Sequence, residues 1–192
     1  PFVVDPVLVN RIAKELPEAF WQFMRIVWRM PAFALRQRPG IELPEPARRL
    51  LAHSNDMTST LAEFHGSELQ LDVLQQRWID DLYLREVFLR TRESNRIVEY
   101  GVIAIALEQF TPVQQAVIKT GAMPLGGLLR QHQIPFESAP ICYFSIETHL
   151  LEETHRIALG GPECFGRFNQ LAKPTGEPLA WIMEILPANP RS

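Results

Sequence analysis

The sequence predicts an α+β protein built around one antiparallel β-sheet. Two observations lead to this prediction. Six runs with the two-residue alternation of strands begin at residue 69, and helical stretches come before and between them. Short polar links join the first three runs, as in an antiparallel meander. The 192 residues are enough for a single domain with a sizeable core.

The N-terminal part of the chain is expected to be helical and interrupted by prolines. Residues 7–30 repeat apolar side chains with close to the helical period, and Pro17 should divide this stretch in two. The stretch is either part of the core, which we favour, or a surface for a second subunit. Residues 31–46 read as a proline-containing connector, and residues 47–53 as a short helix.

Two further helices are predicted from their boundary residues. Asn55 and Asp56 are good N-caps for a helix over residues 57–66. A second helix should cover residues 112–120, because Thr111 can cap it and a proline occupies its first position.

The remaining elements are strands and one turn. The turn at residues 122–127 should start a short helix that runs through Leu129. The predicted strands are residues 69–79, 83–92, 96–107, 141–150, 165–172 and 179–186.

Composition excludes several classes of function. A net charge of -3 and a pI near 6.0 give no electrostatic basis for a nucleic-acid binder. No run reaches the ~18 apolar residues of a membrane span. The two cysteines and the histidine spacings fit neither a disulfide framework nor a metal site. We therefore expect a soluble cytoplasmic protein without a metal site, nucleic-acid partner or membrane span.

Two charged residues interrupt strands that are otherwise apolar on one face. Arg85 alternates with apolar residues in the second strand, and Glu184 does so in the last strand. They either pair with each other or with other side chains inside the fold, or face water if Leu84 and Trp181 are the buried set, or line a pocket. In a pocket, a guanidinium clamps a planar carboxylate, and a carboxylate accepts a hydroxyl proton or hydrogen bond. Together they would suit a small molecule with an acid at one end and a hydroxyl at the other.

Four short motifs in a fixed order resemble the bacterial chorismate lyase family. They are Asp56-Met57-Thr58, Leu84-Arg85-Glu86-Val87, Pro124-Leu125-Gly126, and Glu184 in a closing segment, 165–187, that is similar to the C-terminal hairpin of the family. The resemblance covers about residues 54–187. Residues 1–46 have no evident counterpart, so we expect a single domain over 1–192, with a helical extension (1–46) before a chorismate-lyase-like core (47–192).

The resemblance implies a fold and a reaction. The fold is a six-stranded antiparallel sheet with helices on one side and an enclosed ligand cavity. The reaction converts chorismate to 4-hydroxybenzoate and pyruvate without a cofactor. Arg85 would clamp the ring carboxylate and Glu184 would face the 4-hydroxyl, as the catalytic pair. The backbone at Leu125, Gly126 and Met57 would help to hold the ligand.

One departure from the family pattern concerns the second carboxylate of chorismate. Thr58-Ser59-Thr60 stands where the family has basic residues, so the enolpyruvyl carboxylate needs another cation. Arg167 and Arg77 are the candidates. Without such a cation, the cavity would bind only a benzoate-like ligand.

Other functions remain open beside a lyase for ubiquinone or specialised aromatic biosynthesis. They are a related lyase that makes a different hydroxybenzoate, and a non-catalytic sensing domain of the same fold. The protein is expected to be a monomer, or a homodimer through its N-terminal helices.

Overall fold

The computed structural model describes residues 12–28 and 35–190 of the chain. The strands are β1 (Arg36–Arg38), β2 (Leu69–Ile79), β3 (Leu82–Thr91), β4 (Ile97–Ala106), β5 (Glu137–Glu147), β6 (Glu163–Ala172) and β7 (Pro178–Leu186). The helices are α1 (Glu18–Val27), α2 (Ala47–Leu51), α3 (Met57–His65), α4 (Pro112–Thr120), α5 (Leu125–Gln131) and α6 (Thr148–His155). Within these residues the strands form one antiparallel sheet in the order β1–β5–β6–β7–β4–β3–β2.

The helices predicted from their caps begin and end where those caps place them. The Asp56 carboxylate accepts a hydrogen bond from the Ser59 N–H at 2.8 Å, which satisfies a donor in the first turn of α3. Thr111 and Gln114 form a capping box at the start of α4. Gly121 ends α4 with a positive φ of 67°, a conformation that costs glycine little.

Strand pairing divides the sheet into two faces. Arg85 of β3 pairs with Ile103 of β4, and Ile103 pairs with Ile182 of β7, so these side chains share one face. Leu84 pairs with Ala104 and belongs to the other face. We call the Arg85 side the cavity face and the Leu84 side the opposite face. Both faces are buried, so neither of the two alternating sets of residues can be identified as the buried set from the sequence alone.

Helices α2, α3, α4 and α5 cover the cavity face. Apolar side chains of these helices pack with Leu89 and Leu186, or with Ile103 and Ile182, in two buried clusters. This arrangement confirms the predicted α+β fold, with one antiparallel sheet and four of the six described helices on a single side of it. The sheet has a seventh strand beyond the six predicted, because the connector contains β1. The three residues of β1 are all polar and carry no apolar alternation.

The opposite face is covered by residues 12–28 and by α6. The apolar residues of α1 are buried against it, as favoured for this stretch: Ala19, Phe20, Phe23, Met24 and Val27. Trp28 Nε1 donates to the Tyr100 hydroxyl at 2.7 Å, and that hydroxyl donates to Glu86 Oε1 at 2.8 Å. Helix α1 starts directly after Pro17, where a break was predicted. Residues 7–11 and 29–30 of the predicted helical stretch lie outside the described residues.

The predicted strand over residues 141–150 is wrong in its last three residues. Strand β5 ends at Glu147, and Thr148–His155 forms α6. The buried positions of α6 are Thr148 and Leu151, with the His155 side chain only 9% exposed. Their spacing of three and four residues is helical. In the sequence, Leu150 continues the two-residue alternation of the preceding strand, so the segment also fits a strand.

Candidate functional site

A cavity lies between the cavity face of the sheet and the first turns of α3 and α5. About 50 Å³ of it is open to the centre of a water molecule, whereas a single ordered water needs roughly 10–15 Å³. Strands β3, β4, β6 and β7 form most of its floor, and residues 56–58 and 124–126 form its rim. The polar and charged side chains of the lining are Asp56, Thr58, Arg85, Glu99, Asn169 and Glu184.

Arg85 places a buried positive charge on the cavity floor. The residue is 2% exposed, and its Nη1 donates to the Ile118 carbonyl of α4 at 3.2 Å. Among the described residues, its Nε has no hydrogen-bond partner and no carboxylate forms an ion pair with it. Burial lowers the pKa of Arg85 to about 10, so the group is still protonated at neutral pH. A buried charge without a counter-ion is costly, and an anionic ligand would supply one.

Glu184 is fixed in the cavity by a different arginine. Arg167 Nε donates to Glu184 Oε2 at 2.5 Å, and both residues are buried. The same guanidinium donates to the carbonyls of Leu51 at 2.8 Å and His53 at 2.9 Å. Arg167 therefore fixes the position of the Glu184 carboxyl group and ties the end of α2 to the sheet. Arg85 and Glu184 do not pair with each other, but Glu184 does pair with another side chain inside the fold, as one of the alternatives from the sequence allowed.

Glu99 is a third ionisable residue in the cavity, and sequence reasoning missed it. It is 4% exposed, and its Oε2 makes no hydrogen bond to any described residue. Burial, followed by the nearby charge of Glu184, raises the pKa of Glu99 well above its usual value, and Arg167 opposes this. The signal that singled out Arg85 was present here as well, because Glu99 interrupts an apolar run in β4.

Helices α3 and α5 meet at the rim through a glycine. A Cβ on Gly126 would lie 2.8 Å from Asp56 Oδ1 and 3.2 Å from Thr58 Oγ1. The close approach brings Met57 and Leu125, the first residues of the two helices, to the same cavity. The first N–H groups of a helix have no partner within the helix, so backbone donors lie at this rim.

Five of the seven predicted site residues line the cavity, and two do not. Arg85, Glu184, Met57, Leu125 and Gly126 all line the cavity. Arg167 lies outside the lining, behind Glu184.

Arg77 lies exposed on the opposite face, so its assignment to the site is corrected. The cross-strand partner of Arg85 is Gln76, whereas Arg77 pairs with Leu84. A β-bulge between Val73 and Gln75 shifts the alternation of β2 by one residue. Strict alternation from Leu71, which lines the cavity, would have put Arg77 there.

The described part of the chain contains neither a candidate metal centre nor a candidate membrane helix. No three His, Cys, Asp or Glu side chains in it come together as a set of metal ligands. No helix in it combines the length and apolar character needed to cross a bilayer.

Comparisons with known proteins relate this chain to others by fold. No protein-family model matches the sequence, and it matches no curated protein. The structure is similar to the crystal structure of PhnF from Mycobacterium smegmatis, with a TM-score of 0.53 at 8% identity over 91% of this chain and 96% of that one. This likeness shows a shared fold.

Two further solved structures are similar at a lower level. One is a gene product of Staphylococcus aureus, with a TM-score of 0.49 and 11% identity over 71% of this chain and 90% of that one. The other is the C-terminal domain of the histidine utilization repressor from Pseudomonas syringae, with a TM-score of 0.40 and 11% identity over 65% of this chain and 95% of that one.

Proposed function

We propose that the cavity binds a small ring carboxylic acid, with the carboxylate on Arg85 and a hydroxyl at Glu184. The observation that carries this proposal is the buried guanidinium of Arg85 without a carboxylate partner among the described residues. A planar carboxylate accepts two parallel N–H bonds from a guanidinium, so the ligand supplies the missing counter-ion. The backbone donors of Met57 and Leu125 lie at the rim of the same cavity.

The distance between the two charged residues suits a ring with substituents at opposite ends. Arg85 on β3 and Glu184 on β7 are separated by β4. Gly101 of β4 pairs with both Val87 and Glu184, so Arg85 and Glu184 are also offset by two residues along the strands. Strand spacings of ~4.8 Å and rises of ~3.4 Å put their Cα atoms about 12 Å apart.

The finer form of the proposal is a chorismate lyase that makes 4-hydroxybenzoate and pyruvate. Four motifs of that family support it, and each of them contributes residues to the lining of one cavity. In the reaction, the C4 proton leaves, a C3–C4 double bond forms, and the bond from C3 to the enolpyruvyl oxygen breaks. The ring becomes a phenol, and protonation of the released enol gives pyruvate.

The residues would contribute orientation and charge to this reaction. Arg85 would hold the ring carboxylate, and Glu184 would accept a hydrogen bond from the 4-hydroxyl and so align the ring. Either Glu184 or the side-chain carboxylate of the substrate would take the C4 proton. The product would serve ubiquinone or specialised aromatic biosynthesis.

A specific observation favours ligand binding without turnover as a second function. Arg85 is the one cation among the described residues that line the cavity, since Arg167 pairs with Glu184 and Arg77 lies on the opposite face. The enolpyruvyl carboxylate of chorismate would then meet no second cation. A benzoate-like acid has a single carboxylate and needs none.

Incubation with chorismate distinguishes the two functions. Purified protein is mixed with chorismate in buffer containing a chelator, 4-hydroxybenzoate is measured by chromatography, and pyruvate is assayed separately. Equal amounts of both products, absent with the Arg85→Ala variant, support the lyase. Calorimetric binding of 4-hydroxybenzoate without turnover of chorismate supports the binding function. If neither turnover nor binding occurs, the proposal is wrong.

A further inference from the structure

Glu99 is a buried carboxyl group in the cavity that the proposed binding mode does not use. It lies on β4, on the same face as Gly101 and two residues before it. Its Oε2 is buried and has no hydrogen-bond partner among the described residues. A buried acid with an unused oxygen costs free energy unless a ligand completes its hydrogen bonds.

The carboxyl group of Glu99 lies beside that of Glu184. A Cβ placed on Gly101 would be 3.1 Å from Glu99 Oε1, so the Glu99 side chain folds back over the glycine. Gly101 pairs directly with Glu184 on β7. The glycine therefore makes room for two carboxyl groups at the same end of the cavity.

The two carboxyl groups have different neighbours. Glu184 accepts a hydrogen bond from Arg167 and forms an ion pair with it. Glu99 makes no ion pair within the described residues, and Glu184 presents a negative charge to it. Two buried carboxylates that share a site do not both ionise, and the one without a cation keeps its proton. The raised pKa of Glu99 agrees with this assignment.

We propose that Glu99 is protonated and donates a hydrogen bond to a second ring oxygen, next to the hydroxyl at Glu184. This inference rests on the proposed binding of a ring acid at Arg85. It narrows the ligand class to acids with oxygen at both ring positions 3 and 4. Chorismate, which has an ether oxygen at C3, and 3,4-dihydroxybenzoate belong to this class. 4-Hydroxybenzoate lacks the 3-oxygen and leaves the Glu99 acid unpaired.

A ligand without the 3-oxygen should bind measurably less well. The site rejects such a ligand because a buried polar group of the protein stays without a partner. We expect 3,4-dihydroxybenzoate to bind the wild-type protein about 10-fold more tightly than 4-hydroxybenzoate, as one buried hydrogen bond gives.

Calorimetric titrations of both ligands into three variants test the role of Glu99. Glu99→Gln keeps a neutral donor of the same shape and should keep the preference for 3,4-dihydroxybenzoate. Glu99→Leu should abolish the preference, with the affinity for 4-hydroxybenzoate changed less than about 3-fold. Glu86→Gln is the matched control, because Glu86 is buried on the opposite face and its substitution should leave the preference unchanged.

The outcomes separate this inference from the proposed function. Equal affinity of the wild-type protein for the two ligands overturns the inference and leaves the proposed function standing. Equal weakening of both ligands by Glu99→Leu also overturns it. If neither acid binds, the proposed function fails and the inference fails with it. The comparison of ligands on the wild-type protein needs no variant to fold.

Infrared spectroscopy tests whether the Glu99 carboxyl group carries a proton. The wild-type spectrum at neutral pH should contain the C=O band of a protonated buried carboxylic acid, and Glu99→Gln should lack it. Loss of an ionised-carboxylate band in the variant instead would overturn the assignment.

Discussion

Arg85 is placed where it destabilises the empty protein. Its guanidinium is buried, donates one hydrogen bond to the Ile118 carbonyl, and has no carboxylate partner in the described part of the chain. A residue that serves only stability would not be charged at this position, because an apolar side chain of similar size avoids the cost of desolvation. We interpret Arg85 as a residue whose counter-ion is the ligand.

Arg85→Met should therefore separate stability from binding. We expect its free energy of unfolding to rise by about 1–4 kcal/mol, since the buried charge disappears. The Ile118 carbonyl keeps a second donor, the Gly121 N–H at 3.2 Å. Binding of 4-hydroxybenzoate should be lost. Urea unfolding and calorimetry measure the two effects, and a variant that loses stability while it still binds would contradict this interpretation.

His65 should make stability depend on pH. Burial, and then the charge of Arg96, lowers the pKa of His65 to about 4, and Arg96 Nη2 contacts His65 Nδ1 at 2.8 Å. In the unfolded chain the pKa of histidine is about 6.5. Between these values the unfolded state binds a proton that the folded state does not, so stability falls as the pH drops from about 6.5 to 4.

Thermal unfolding at pH 7.5 and pH 5 measures this contribution. His65→Asn cannot titrate, so its melting temperature should fall less than that of the wild-type protein between the two conditions. An equal fall in both proteins would show that His65 does not carry the effect.

At the scale of single residues, pattern breaks predicted part of the site. Arg85 and Glu184 stood out because a charge interrupts an apolar face, and the structure puts both in the cavity. The assignment of Arg77 failed because the bulge in β2 is not visible in the alternation of apolar residues. The ion pair of Glu184 with Arg167 joins residues on neighbouring strands, and no local pattern predicts it.

At the scale of elements, the contact between α3 and α5 shapes the rim of the cavity. Gly126 faces Asp56 and Thr58 at distances too short for a side chain, whereas a Cβ on Gly127 would have no neighbour within 4 Å. The two adjacent glycines therefore have different structural roles. Gly126 permits the approach of the helices, and Gly127 only weakens α5.

Substitution of each glycine by alanine tests this difference. Gly127→Ala should stabilise the protein by about 0.5–1 kcal/mol through helix propensity and leave ligand binding unchanged. Gly126→Ala should push α5 away from Asp56, lower stability, and weaken binding of 4-hydroxybenzoate. Equal effects of the two substitutions in unfolding and binding titrations would exclude the proposed role of Gly126.

Elements with local signals were predictable, and those without them were not. The caps of α3 and α4 are formed by neighbouring residues, so the positions of both helices were predicted correctly. The first three residues of α6 were assigned to the end of a strand and the helix was not predicted, because its buried face depends on contacts with the opposite face of the sheet. The Glu86 carboxylate that accepts from His155 at 2.7 Å is 69 residues away in the sequence.

At the scale of the whole molecule, the N-terminal segment is part of the core. Phe20, Phe23, Met24 and Val27 cover apolar residues of β3, β4 and β6. Rings of Phe20 and Phe168 contact each other with their centroids 6.3 Å apart. Two-sided burial explains why the sequence alone left the direction of the pleat open for Arg85 and Glu184.

A chain that starts at residue 47 should not fold stably. The truncation exposes several large apolar side chains of the sheet, and each exposure costs about 1.5–3 kcal/mol. The total stability of a typical protein is only about 5–15 kcal/mol. We expect the truncated chain to bind a hydrophobic dye and to unfold without cooperativity. Phe23→Ala is the milder test and should lower stability by about 3–5 kcal/mol. Cooperative unfolding of the truncated chain near the wild-type midpoint would show that residues 47–192 fold independently.

The central claim is that the buried charge of Arg85 recognises a carboxylate, and a pair of ligands tests it most directly. 4-Hydroxybenzoate and its neutral amide have nearly the same shape and differ in the charge that would meet Arg85. Calorimetric titration should show the acid binding about 10–100-fold more tightly than the amide, because a hydrogen bond to a charged group contributes about 1.5–3 kcal/mol. Equal affinity for the two ligands, or binding of neither, would contradict the claim.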